Sequence, residues 1–121
     1  MAKVLVVDDS ETIRTQLRRD LEGAGHVVVE ACDGKVGLQM AEENPDFQLL
    51  ICDVNMPVMD GLEMCERLFL NEKFGKVPKF MLTTEAVPAM KQRAKAVGVL
   101  AWIIKPYVLD KLLAAISKVV G

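Results

Sequence analysis

Lys3-Val4-Leu5-Val6-Val7-Asp8-Asp9-Ser10 opens the chain with four apolar residues in succession, followed at once by two carboxylates. A strand with one wet face would alternate apolar and polar residues. An unbroken apolar run instead predicts a strand covered on both faces, as in a parallel sheet between layers of helices. The same pattern returns at Val27–Val29, Leu49–Cys52, Phe80–Leu82 and Leu100–Ile104.

Helix-period stretches separate these runs. Ile13, Leu17 and Leu21 are spaced four apart. Similar stripes occur at Leu38 and Ala41, at Leu62, Cys65 and Phe69, at Met90, Ala94 and Val97, and at Leu109, Leu112, Leu113 and Ile116. Gly25 and Gly98 are placed to end helices, Asp33-Gly34 and Asp60-Gly61 mark the turns before them, and Pro88 suits a first helical turn. Five strands alternating with five helices predict one doubly wound α/β domain over residues 1–121.

The totals narrow the function. At 121 residues the chain has room for one domain and a real core, and with 51% hydrophobic residues it is not a disordered polymer. A formal net charge of -2 without a basic cluster argues against nucleic-acid binding. No apolar stretch is long enough for a membrane span, and the first strand starts too early to leave room for a signal peptide. Cys32, Cys52 and Cys65 lack C-x-x-C spacing and read as reduced core thiols, which fits a cytoplasmic location. His26, alone at a strand start, is given no role.

In such sheets, ligands bind beyond the carboxyl ends of the strands. Those ends carry Asp8 and Asp9, Asp53, Thr83 and Lys105, whereas the second strand, ending at Glu30-Ala31, offers nothing comparable. Each residue alone has an ordinary explanation: an Asp pair caps a helix, a Thr suits a strand, a Lys before Pro is solvated. Asp53 is harder to dismiss, because a charge ending an apolar strand is costly without a partner. Their convergence carries the argument. Three close carboxylates repel unless a cation intervenes, and a divalent ion together with one ammonium neutralises them. Oxygen-only ligands favour Mg2+, beside which a carboxylate can act as nucleophile toward phosphorus.

Asp8-Asp9, the segment Asp53-Val54-Asn55-Met56-Pro57 with Asp60-Gly61, Thr83 and Lys105-Pro106 together resemble the receiver domain of two-component response regulators, specifically the CheY type. The resemblance spans the whole chain and implies a flavodoxin-like sheet of strand order 2-1-3-4-5. It also implies that Asp53 is the phospho-acceptor and that Asp8, Asp9, Asp53 and the Asn55 carbonyl hold Mg2+. Lys105 and Thr83 would contact the phosphoryl group, and the Lys105–Pro106 bond would be cis. Trp102 stands where the family keeps its switch aromatic, with a core or interface Trp as the competing explanation. Asn55 and Glu85 border the phosphoryl pocket, a pair that implies a short-lived phosphorylated state.

No output domain is expected after the last helix, so signalling is expected to run through protein contacts by a monomer. A CheA-type histidine kinase would supply the phosphoryl group. A flagellar-motor switch protein would receive the signal, with a phosphatase as a further partner. The runs Met81–Glu85 and Ala101–Pro106 favour this chemotaxis role. A relay or sink receiver serving a histidine phosphotransfer protein is the alternative. A Mg2+-dependent phosphohydrolase would want an acidic residue where Asn55 stands, so no enzymatic turnover is expected. A flavin carrier would need a phosphate loop where Asp8-Asp9-Ser10-Glu11 would repel phosphate.

Overall fold

A computed structural model describes residues 1–120. Gly121, the final residue of the predicted domain, lies outside the described residues. The strands are β1 (Lys3–Val7), β2 (Val27–Ala31), β3 (Leu49–Cys52), β4 (Lys79–Thr83) and β5 (Val99–Ile104). The helices are α1 (Glu11–Gly23), α2 (Gly34–Glu43), α3 (Gly61–Leu70), α4 (Pro88–Ala96) and α5 (Leu109–Val120). All strand pairs are parallel and the order is β2-β1-β3-β4-β5, as the resemblance implied.

The period of two along each strand divides the core. Leu5, Val7, Leu50, Cys52 and Met81 face one way and pack with Ala41 of α2, Leu62, Met64, Cys65 and Leu68 of α3, and Ala94 of α4. Val4, Val6, Leu49, Ile51, Phe80 and Leu82 face the other way, against Leu17 and Leu21 of α1 and Leu112 and Ile116 of α5. The inner strands β1, β3 and β4 are therefore buried on both faces, which explains their unbroken runs. On the edge strand β5, Leu100 and Ile104 are exposed although an unbroken run predicts cover.

The helix boundaries have local causes. Ser10, Asp33 and Asp60 cap α1, α2 and α3 by accepting from the amides of Ile13, Val36 and Glu63. Gly25 and Gly98 follow the ends of α1 and α4 with φ of 93° and 87°, a conformation glycine adopts without steric cost. Val58 reaches φ 69° in the loop after β3, where a β-branched residue is strained.

The expectation for the cysteines fails in part. Cys52 and Cys65 are buried, but Cys32 is exposed. It follows the last residue of β2 at the turn into α2, beyond the covered part of the sheet. His26 is also less idle than its isolation suggests: its Nδ1 accepts from the amide of Ala2 at 2.9 Å.

The acidic site at the carboxyl edge of the sheet

Strand register brings the acidic residues together. Val7 pairs with Cys52, so the next residues, Asp8 and Asp53, leave the sheet side by side at the point where strand order reverses. The Asp53 amide donates to the Val7 carbonyl at 3.0 Å and the Asp8 amide to the Ala31 carbonyl at 3.1 Å, which holds both backbones. Thr83 pairs with Ile104, and the next amide, that of Lys105, donates to the Thr83 carbonyl at 2.9 Å.

The Lys105 ammonium then bridges the carboxylates. Its Nζ lies 2.8 Å from Asp8 Oδ2 and 2.9 Å from Asp53 Oδ2. The remaining oxygens have backbone partners: Asp8 Oδ1 accepts from the Ser10 amide at 2.9 Å and Asp53 Oδ1 from the Val54 amide at 2.7 Å. Asp9 is exposed, yet one carboxylate oxygen each from Asp8, Asp9 and Asp53 lie within 4.8 Å of one another. The cluster offers oxygen donors only, and it could hold a hard metal ion.

Charge in this edge is finely poised. Burial pushes the Asp8 carboxyl above its ordinary range, against the lowering effect of its bonds from Lys105 and Ser10, while the Asp53 charge adds to the rise. Burial alone would lower the Lys105 ammonium, but its bonds to Asp8 and Asp53 outweigh this and hold it above its usual value. One ammonium does not fully compensate two buried carboxylates and a third at their rim. A divalent cation fits that deficit.

Around the edge, Thr83 is fully buried, and its Oγ1 accepts from the Glu85 amide at 3.2 Å. The Glu85 carbonyl accepts from Trp102 Nε1 at 2.8 Å, and its carboxylate accepts from Asn55 Nδ2 at 2.7 Å. Glu85 thus links three predicted positions. Trp102 is half-buried, neither a full core residue nor a free surface aromatic, and its single donor is spent on the β4–α4 loop. The Lys105–Pro106 bond is cis. Next along, the Tyr107 hydroxyl donates to Asp20 Oδ2 at 2.6 Å, tying the loop after Lys105 to α1.

Two contributions went unread in the sequence. Gly61 lies so close to the end of β3 that a Cβ there would stand 1.9 Å from the Asp53 carbonyl oxygen. And the end of β2 is not a bystander: Glu30 takes Arg14 Nε at 3.1 Å, while Arg14 Nη1 reaches the Asp8 carbonyl at 2.6 Å.

Residues 4–117 match the family of response regulator receiver domains. The chain belongs to that family. This receiver is 37% identical to a chemotaxis protein CheY homolog of Campylobacter jejuni over 120 residues, covering 98% of the receiver and 92% of that protein. It is 35% identical to chemotaxis protein CheY1 of Helicobacter pylori, covering 98% and 97% of the two chains. The solved structure of Vibrio cholerae chemotaxis protein CheY4 superposes on it with a TM-score of 0.91 at 42% identity, covering 98% of each chain. The receiver is therefore of the CheY type, consistent with chemotaxis signalling. None of its helices, among the described residues, is long and apolar enough to cross a membrane.

Proposed function

We propose that this receiver is a stand-alone phosphorylation switch that accepts a phosphoryl group on Asp53 from a CheA-type histidine kinase. The ammonium of Lys105 between Asp8 and Asp53 is the observation that carries the reading. A cation at hydrogen-bond distance from the proposed nucleophile faces the oxygens on which charge spreads during phosphoryl transfer. The Asp53 oxygen forms a bond to phosphorus as the phosphorus–nitrogen bond of the donor histidine breaks, and the released imidazole takes up a proton. Hydrolysis by water later frees phosphate and restores the carboxylate. The Thr83 hydroxyl donates a hydrogen bond to a phosphoryl oxygen, and Lys105 pairs with another.

Asp8, Asp9, Asp53 and the Asn55 backbone carbonyl would hold Mg2+. That ion, when bound, would neutralise charge on the phosphoryl oxygens. Asp8 and Asp9 would supply carboxylate oxygens to it, and Lys105 would supply the remaining positive charge. The product is a change of surface rather than a released metabolite, so no enzymatic turnover is expected. The Campylobacter jejuni and Helicobacter pylori relatives are chemotaxis proteins of nearly the same length. That similarity supports a flagellar-motor switch protein as target, a cytoplasmic location and a monomeric carrier.

Acetyl phosphate with MgCl2, followed by intact mass and Trp102 fluorescence, tests the chemistry. One phosphoryl adduct should form, require Mg2+ and vanish in Asp53→Asn. Absence of an adduct even with a competent kinase would refute it. Titrating the motor-switch protein against both forms tests the output, and equal affinities would refute that part.

A further inference from the structure

The guanidinium of Arg14 grips the peptide that joins Asp8 to Asp9. Its Nη1 donates to the Asp8 carbonyl at 2.6 Å, and its Nε donates to Glu30 Oε1 at 3.1 Å. The other Glu30 oxygen takes Arg18 Nε at 2.6 Å, and Arg18 Nη1 reaches Glu22 Oε2 at 3.1 Å. The inner pair is the sheltered one: the Arg14 and Glu30 side chains are 15% and 27% exposed.

Two features of this chain of contacts bear on the acidic edge. A guanidinium is a planar fork whose donors keep fixed relative directions, so seating one donor on Glu30 aims another. Here the aimed donor meets the one carbonyl whose peptide plane sets how the carboxylates of Asp8 and Asp9 stand to each other. The second feature is charge. An unpaired Arg14 beside a cation site would repel the cation, and the Glu30 carboxylate cancels that charge where it stands. Glu30 in turn is shared with Arg18, so its own charge is balanced from the outer side.

We propose that Arg14 is a positioning residue for the acidic loop and that Glu30 acts through it, so that together they set the affinity of the edge for a divalent cation. The proposal rests on the reading of Asp8, Asp9 and Asp53 as cation ligands. Groups that orient metal ligands from behind commonly account for a tenfold or larger part of affinity.

The test is a titration of the intact protein with MgCl2, followed by backbone amide shifts of Val54 and neighbouring residues, alongside thermal melting. Arg14→Met should weaken Mg2+ binding roughly tenfold, and Glu30→Gln by a smaller factor. In the Arg14→Met background, Glu30→Gln should cause no further loss, because its effect passes through the guanidinium. Arg14→Lys keeps the charge but not the fork, and should bind Mg2+ as weakly as Arg14→Met.

A role confined to tying α1 to β2 would lower the melting temperature and leave Mg2+ affinity unchanged, and that result overturns the proposal. Wild-type affinity in Arg14→Lys would overturn it as well. Should Arg14→Met fail to fold, Glu30→Gln, which preserves size, decides: unchanged affinity there is also a refutation. Asp9→Asn is the separate control. If it binds Mg2+ as tightly as wild type, the ligand reading is what fails.

Discussion

The Asn55 side-chain amide donates a 2.7 Å hydrogen bond to the Glu85 carboxylate, and so joins the loops that leave β3 and β4. Each residue stands two positions beyond a strand-end residue of the acidic site, Asn55 beyond Asp53 and Glu85 beyond Thr83. The pair is exposed, so it adds little to stability, under about 1 kcal/mol. Its consequence is for water. Neither side chain is bulky and apolar, and the phosphoryl group on Asp53 should be short-lived. Asn55→Met should lengthen its lifetime roughly tenfold, about 1.4 kcal/mol of barrier. Timing the decay of phosphorylated protein in Mg2+ checks both statements: persistence for many hours in the wild type contradicts the first, and an unchanged lifetime in the variant the second.

Asp8 makes the cation-free fold sensitive to pH in an unusual direction. Its folded pKa lies above the ordinary value of 3.8, so the associated stability is present below that value and is lost as pH rises through the folded pKa. At neutral pH its ionised form therefore destabilises the fold when no cation is bound. Asp8→Asn should melt higher at neutral pH, with the gain shrinking toward acid pH. Melting curves in chelator across pH measure this, and a lower midpoint at neutral pH would contradict the account.

Val58 is 78% exposed and adopts a left-handed backbone at φ 69°. Burial gives no reason to keep a β-branched side chain there. Val58→Asn or Val58→Gly should stabilise the protein by about 0.5–1 kcal/mol, because both residues enter this conformation more cheaply. Denaturant midpoints decide it, and a loss of stability in both variants would show that the isopropyl group contributes something unseen.

Gly61 stands at the opposite extreme. Any side chain there would drive into the Asp53 carbonyl oxygen, which is backbone and cannot swing aside. Gly61→Ala should cost roughly 3 kcal/mol and shift the end of β3. Chemical denaturation gives the first quantity, and the rate of Asp53 phosphorylation by acetyl phosphate reports the second. Wild-type values for both would mean that the α3 start can slide away at no cost.

Much of this molecule is legible in its sequence, for a physical reason. A strand covered on both faces writes itself as an unbroken apolar run, and the polar residue that ends the run is by construction at the ligand edge. Asp8, Asp53, Thr83 and Lys105 each follow directly on such a run. Lateral contacts leave no such trace. Nothing in the period of α1 marks Arg14 as the residue that reaches back to the Asp8 carbonyl, or in β2 marks Glu30 as its anchor. Residue averages also misled: Cys32 lies exposed although cysteine is usually buried. Lys79, a charged residue just before the apolar run Phe80–Leu82, is 1% exposed and donates to the carbonyls of Val77 and Gly75.

The bridge from Lys105 joins residues 97 and 52 positions away in the chain. During synthesis on a ribosome, Asp8 and Asp53 leave the exit tunnel well before the ammonium that sits between them. A nascent chain that has not yet received Lys105 carries its acidic edge without that ammonium and without the amide that closes onto Thr83. If Asp53 is the acceptor proposed above, its phosphorylation site is completed late, with the docking of the fifth strand.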